Sequence, residues 1–324
     1  MKILLTGGAG YIGSHASLAL LDQGHKVTII DNLSTGNSEL IPSAASFIKC
    51  DIQDVSKVSK IIKKNYFDVL IHFAGFIQVE ESVTNPKKYF LNNTENSKIL
   101  FNTCLKNNLK NIIFSSTAAV YGNPPDDKPV KENDLLNPLN PYGESKTQTE
   151  NYLKNNSDFN YIILRYFNVA GADPKMRSGL ISKNATHLIK IASEVAVGIK
   201  KEITIYGNDY PTPDGTAIRD YIHVSDLADL HVKAAENLLI KQQSNIVNCG
   251  YGKGFSVKEV LKIVNEISDN PISVKIGKRR SGDSFKLVSN VEKLQKLFNW
   301  KPKYNNLLYI IKTAIEWERK IQNK

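Results

Sequence analysis

The sequence predicts an α/β fold, a doubly wound parallel sheet with helices on both faces, followed by a smaller C-terminal α/β lobe. Three observations carry this. Apolar β-branched runs alternate with longer stretches of helical period. The runs are continuous rather than alternating, as in strands buried on both faces. A glycine cluster, GGAGYIGSH at 7–15, stands directly behind the run Ile3-Leu4-Leu5, where the first helix should begin although glycine weakens helices and strands.

In chain order, a first strand at Ile3–Leu5 leads to a helix over 10–23, then a strand at Val27–Ile30 ending at Asp31. Further strands are expected at 68–73, 111–114 and 161–164, with helices at 54–64, 86–107 and 141–155, the last opened by Pro141 in its first turn. After about residue 168 the rhythm loosens, and YGNDYPTPDGT (206–216) is turn and loop chemistry. A helix at 184–198, a strand at 202–206, helices at 225–241 and 256–268, a strand at 272–276 and helices near 290–298 and 305–321 complete the reading. Residues 1–168 are therefore expected to form the dinucleotide-binding domain and 169–324 the substrate lobe, with segments near 215–245 returning to the first domain.

A chain of 324 residues can bury a large core, and 41% hydrophobic with 23% charged residues is the balance of a globular enzyme, not of a disordered chain. The net charge of +10 raises nucleic-acid binding, but the lysines are scattered, so a solvated surface is the expectation, with some attraction for a small anion. Cys50, Cys104 and Cys249 are odd in number and widely spaced, which signals neither a disulfide framework nor a zinc site. No secretory leader pattern and no membrane-length apolar run is present, so a cytoplasmic, soluble protein is expected.

The glycines fit Gly7-x-x-Gly10-x-x-Gly13 between a strand and a helix. The first allows a tight turn, the second lets backbone amides approach a pyrophosphate, and the third lets the helix pack closely. The helix N-terminus then offers unpaired N–H groups and partial positive charge to the phosphates. Asp31, 18 residues after Gly13, is placed to bond ribose hydroxyls and to repel a 2′-phosphate, which favours NAD over NADP. Asp31-Asn32 is also ordinary strand-end turn chemistry; the glycines are what tip the reading. Asp51-Ile52, near the adenine, and Phe73-Ala74-Gly75 stand at two further strand ends, where ligands bind in such sheets.

Tyr142 and Lys146 form Y-x-x-x-K inside NPYGESK, one helical turn apart on one face. An ammonium, and a nicotinium ring, would favour phenolate and draw the Tyr142 pKa toward neutrality, so that Tyr142 serves as general base or acid toward a hydroxyl. The same spacing also occurs on ordinary amphipathic helices. Upstream, FSSTAAVYG places Ser115, Ser116 and Thr117 at a strand end, able to hold the same substrate oxygen. Behind a dinucleotide fold, these groups point to hydride transfer at a secondary alcohol.

With these residues in view, the chain resembles the extended short-chain dehydrogenase/reductase family, and within it the UDP-glucose 4-epimerases, whose sheet is Rossmann-like. The likeness runs through TGGAGYIGSH, DNLSTG, HFAG, FSSTAAVYG, NPYGESK, RYFNVAGA, GNDYPTPDGTAIRDYIHVSDLAD and RRSGD. It implies resident NAD, oxidation at sugar C4 with Tyr142 taking the hydroxyl proton, rotation of the 4-keto sugar, and re-reduction on the other face. It further implies that Thr117 positions the 4-hydroxyl and that Lys146 holds the nicotinamide ribose while tuning Tyr142. Tyr11, Ile12, Ser34, Thr35, Gly36, Asn92, Ser115 and Phe167 match cofactor-pocket positions. Asn168, Thr186-His187-Leu188, Thr204-Ile205-Tyr206, Arg219, Arg280, Asp283 and Leu287 match the UDP-sugar side. Read without the resemblance, Arg219 is equally a surface or ion-pair residue and His187 equally a packed helix residue.

Two departures bear on function. Ile77 stands where many members carry a Lys, and Leu287 where some carry a bulky Tyr, which leaves room for an N-acetyl group and extends the expectation to UDP-GlcNAc/UDP-GalNAc. Elimination or decarboxylation in the same superfamily uses carboxylates after the Thr, where this chain has Ala118-Ala119. A non-catalytic NAD-binding regulator is the remaining alternative, opposed by Thr117, Tyr142 and Lys146 standing together. The resemblance also implies a homodimer through the 86–107 and 141–155 helices.

Overall fold

The structure, a computed structural model, describes residues 1–125, 128–182, 185–268 and 271–323. The first half alternates strand and helix: β1 (Lys2–Thr6), α1 (Tyr11–Asp22), β2 (Lys26–Asp31), β3 (Ser46–Lys49), α2 (Val55–Asn65), β4 (Val69–His72), α3 (Val79–Thr84) and α4 (Pro86–Tyr89). A π-helical turn, Phe90–Glu95, joins α4 to α5 (Asn96–Lys106), followed by β5 (Asn111–Thr117), α6 (Pro141–Lys154) and β6 (Asn160–Tyr166). The second half holds β7 (Asn168–Ala170), α7 (Leu188–Ala196), β8 (Ile203–Tyr206), β9 (Ile218–His223), α8 (Val224–Lys241), β10 (Asn245–Cys249), β11 (Gly254–Ser256), α9 (Val257–Ile267), β12 (Val274–Gly277), β13 (Lys286–Leu287), α10 (Glu292–Phe298) and α11 (Leu307–Gln322).

Seven strands form one parallel sheet in the order β10-β6-β5-β4-β1-β2-β3. The order in which the chain adds strands reverses between β1 and β4, which opens a crevice at the carboxyl ends of those strands. The period of two sorts each strand's apolar residues between two cores. Ile3, Leu5, Val27, Ile29, Val69, Ile71, Ile113, Ile162 and Leu164 face a cluster with α1, α8 and α10. Leu4, Ile30, Leu70, Ile112, Phe114 and Ile163 face the opposite cluster with α2, α5 and α6. Both faces being covered explains the uninterrupted apolar runs.

The smaller lobe has its own core, formed where α7, α9 and α11 pack on β8 and Tyr221 of β9. Here β9 runs parallel to β7 and β13 and antiparallel to β11, while β8 pairs with β12. The helix expected over 86–107 is interrupted by the π-helical turn. At that turn the Asn93 carbonyl accepts from the Ser97 and Thr149 hydroxyls at 2.7 and 2.9 Å, bonds that compete with the regular backbone ladder. The helix expected from 184 begins at Leu188, and residue 184 lies outside the described residues.

Candidate active site

The glycine loop is built so that backbone, not side chains, faces the crevice. Gly7 has φ of 71°, and a Cβ there would stand 2.6 Å from the Ala74 backbone nitrogen. At Gly13 a Cβ would stand 2.3 Å from the Gly7 carbonyl oxygen, so α1 can approach β1 only with glycine at that position. Gly10 is the N-cap of α1 and no side chain caps it, which leaves the first-turn amides available to an anion. Tyr11 Oη donates to the Gly171 carbonyl at 2.6 Å, tying the start of α1 to the loop after β7.

Asp31 is buried at the end of β2, where its carboxylate accepts the Ala9 amide at 3.0 Å and the Leu33 amide at 2.8 Å. Asn32 donates to Asp51 at 2.9 Å, drawing two neighbouring strand ends together. Gly36 stands against Asp31, where a Cβ would be 3.0 Å from its carboxylate. Such a cradle fits a dinucleotide: Gly7, Gly10 and Gly13 would admit the pyrophosphate, the α1 N-terminus would bond it, and Asp31 would take the ribose diol.

A cavity of about 480 Å³ runs from this loop to the second lobe. Its wall includes Gly7, Gly10, Tyr11, Ile12, Gly13, Asp31, Asn32, Ser34, Thr35, Asp51, Ile52, Phe73, Ala74, Gly75, Asn92, Ser115, Thr117, Tyr142 and Phe167 from the expected cofactor side. Asn168, Thr186, His187, Arg219, Asp283 and Leu287 line the other end. Lys146 lies behind the wall, buried, with Nζ donating to the Ser115 carbonyl at 2.9 Å. Leu188 lines a smaller adjoining cleft. Thr204, Ile205 and Tyr206 stand in β8 outside the cavity wall, with Ile205 buried in the lobe core and Tyr206 stacked under the Arg280 guanidinium at 3.9 Å. Arg280 reaches the cavity indirectly, close enough to His187 that its charge adds to burial in lowering that imidazole's pKa. His187 is the N-cap residue of α7, not part of a helical face.

The reacting end is made by β5 and α6. Asn140 caps α6 by accepting the Gly143 amide at 2.8 Å and donates from Nδ2 to the Gly282 carbonyl at 3.0 Å. Thr117 Oγ1 accepts the Ala119 amide at 3.1 Å and faces the Tyr142 hydroxyl, close enough to pull its pKa down. Burial raises the Tyr142 pKa, with Thr117 opposing; the downward pull anticipated from Lys146 is absent in the chain alone. Burial also lowers Lys146 to about 8, against an upward contribution from Glu150. Arg219 donates to Asp283 at 2.8 Å and to the Ser284 and Ile218 carbonyls. This holds a guanidinium at the pocket wall, where a phosphate would meet a planar fork.

Sequence reasoning missed several wall residues. Tyr89 packs edge-on against Tyr142 with centroids 6.4 Å apart, and its hydroxyl donates to Glu81, itself held by Lys88. Asn140 was signalled by Asn-Pro at a helix start, a cap followed by proline in the first turn.

Comparison with known proteins settles the family. Residues 3–250 match the model of the NAD dependent epimerase/dehydratase family. The chain belongs to that family. An Azospirillum brasilense UDP-glucose 4-epimerase is 44% identical over 99% of this chain and 93% of its own length. The UDP-glucose-4-epimerase of Stenotrophomonas maltophila, solved with bound NAD and formylated UDP-arabinopyranose, has a TM-score of 0.95 at 32% identity, covering 100% of this chain and 99% of that one. The UDP-Glc/GlcNAc 4-epimerase of Campylobacter jejuni has a TM-score of 0.84 at 43% identity, covering 98% and 99%. Like them this epimerase-family chain is an NAD-dependent enzyme, and among its described residues no helix is long and apolar enough to cross a membrane.

Proposed function

We propose that this chain interconverts UDP-glucose and UDP-galactose. The observation that carries the reading is Thr117 beside a half-buried Tyr142 in the same cavity as the glycine cradle and Arg219. NAD, when bound, supplies hydride acceptance and return at the sugar carbon. Gly7, Gly10, Gly13 and Asp31 hold it, with Asn32, Ser34, Thr35, Asp51, Ile52, Phe73, Ala74, Gly75, Asn92 and Phe167 along its length. Tyr142 takes the proton of the 4-hydroxyl and later returns it, with Thr117 orienting the oxygen. Lys146 contributes positive charge beside Ser115. Arg219 and Asp283 bind the nucleotide end, Arg280 stacked on Tyr206 adds positive charge near His187, and Asn168 and Thr186 complete the wall.

A single pair of general acid and base functions on one tyrosine suffices for epimerisation. Ala118 and Ala119 line the cavity where elimination would need carboxylates, and Glu81, also at the wall, is engaged by Lys88 and Tyr89, which favours epimerisation over elimination. Leu287, buried at the wall, supports acceptance of N-acetylated sugars, as the name of the Campylobacter enzyme describes for that protein. The cofactor domain spans 1–168 and the substrate lobe 169–324 in this reading, with the 215–245 region returning; α8 packing on the first core supports the return, and β10 and α10 join the first domain's sheet and core as well. Half-exposed Leu91 and Ile99 on the 86–106 helices support a homodimer, to be checked by light scattering at micromolar concentration. Scattered lysines and buried cysteines fit the cytoplasm.

Incubation of the purified protein with UDP-glucose, UDP-galactose and their N-acetylated forms, without added NAD, tests the proposal. Interconversion within each pair is expected. Turnover of the hexoses with no exchange of the N-acetylhexosamines removes the extended specificity, and turnover of neither removes the whole reading.

A further inference from the structure

Two turns beyond Tyr142 on α6 stands Glu150, which the proton transfer above does not use. Its side chain is fully buried, as is that of Arg165 on β6. The carboxylate accepts from Arg165 Nη2 at 2.6 Å and Nε at 3.0 Å, and the Ser116 hydroxyl donates to Oε1 at 2.5 Å. Ser116 lies between Ser115, whose carbonyl takes the Lys146 ammonium, and Thr117, which faces Tyr142. Arg165 Nη1 donates to the Tyr121 hydroxyl at 2.9 Å and the Glu132 carbonyl at 3.0 Å.

A buried ion pair is weak ground for stability, since apolar side chains of similar volume often serve as well. What the pair does here is join elements. Spacing of four places Tyr142, Lys146 and Glu150 along one face of α6, and that face meets the end of β5. We propose that Glu150 is a positioning residue for the Tyr142 proton transfer: through Ser116 it locks α6 to β5, through Arg165 it locks α6 to β6, and it stands as the counter-charge on the helix face that carries the Lys146 ammonium. The inference rests on the epimerase reading.

The groups around Lys146 and Glu150 leave this carboxylate as the anion that acts on the ammonium. From β4, His72 is held neutral by burial, its pKa lowered to about 3. From β6 come the Arg165 cation and Tyr161, raised by burial, and Tyr121 is likewise raised. The Glu132 carboxylate is turned to the Asn248 amide at 2.8 Å. Neutralising Glu150 removes an upward contribution to Lys146 and leaves Arg165 uncompensated. Lys146 then loses its proton at lower pH.

Glu150→Gln tests this. The ¹³Cε resonance of Lys146, assigned by its loss in Lys146→Arg, should titrate about one pH unit or more lower than in the wild type. With UDP-galactose, kcat should fall about 10–100-fold, its alkaline limb should move the same way, and KM should stay within about threefold. Glu150→Asp keeps the charge and should restore the titration midpoint. Should Glu150→Gln not fold, Ser116→Ala, which cuts only the link to β5, should lower kcat about 3–10-fold with KM unchanged. An unmoved Lys146 midpoint in Glu150→Gln, or an unmoved kcat in Ser116→Ala, overturns the inference. A wild-type chain that turns over no UDP-sugar overturns the epimerase reading instead, and the Lys146 midpoint still decides the electrostatic part.

Discussion

Replacing Gly13 by alanine should separate cofactor binding from stability. The added Cβ would meet the Gly7 carbonyl oxygen at 2.3 Å and Gly8 Cα at 2.9 Å, both backbone atoms that no rotamer can move. Ordinary contact begins at 3.4 Å, so α1 must retreat by about 1 Å. Overpacking of this kind costs about 1–3 kcal/mol, or about 1.5–5 °C in melting temperature for a chain of this size. The same retreat lengthens a 2.9 Å amide–phosphate bond beyond hydrogen-bonding range. Gly24→Ala is the comparison: with φ of 79° and open space around its Cβ, it pays only left-handed strain of about 1–2 kcal/mol. Both variants should therefore melt lower, but only Gly13→Ala should lose its dinucleotide, measured by chromatography of small molecules released on heating. Wild-type dinucleotide content in Gly13→Ala, or its loss in Gly24→Ala, refutes the reasoning.

Three further outcomes are expected. Tyr142→Phe should lower turnover about 10²–10⁴-fold while dinucleotide stays bound, read by product formation and by released cofactor. Asp31→Asn removes the charge and one of two acceptors for the Ala9 and Leu33 amides; NAD affinity should fall about tenfold and the preference over NADP should narrow, measured by titration calorimetry. His15 and His231 are buried with pKa lowered to about 4, and His72 and His223 to about 3. The unfolded chain binds their protons first, so this stability is complete above about pH 6.5 and is lost as pH falls toward 4. Melting temperatures recorded from pH 7 to pH 4.5 should drop steeply below 6.5.

The central sheet was legible because its strands are buried on both faces, which forces continuous apolar runs such as 69–71 and 112–114. Strands that satisfy polar constraints were not. β9 reads Ile-Arg-Asp-Tyr-Ile-His, and its Asp220 is buried because it accepts the Tyr251, Gly252 and Ser289 amides. β10 carries Asn248 to the Tyr121 hydroxyl and Val130 carbonyl. β3 is an edge strand with a largely exposed surface, so no burial pattern marks it. In the site, the glycine loop, Asp31, Thr117 and Tyr142 were readable because each needs a particular residue at a fixed spacing. Lys146 was readable as a partner, but the shift of Tyr142 was not, since burial outweighs a charge whose direction the helix spacing alone does not set. The strand at 202–206 was expected and is β8, but its place outside the cavity wall, and that of Arg280, depends on how the second lobe folds back, which no local pattern records.

Asn140 uses one amide for two tasks, its oxygen opening the helix that bears the reacting phenol and its nitrogen holding the segment beside Asp283. Capture of a nucleotide by that distal segment is thereby geared to the seat of chemistry through a single side chain. Neither can drift without the other giving up its anchor.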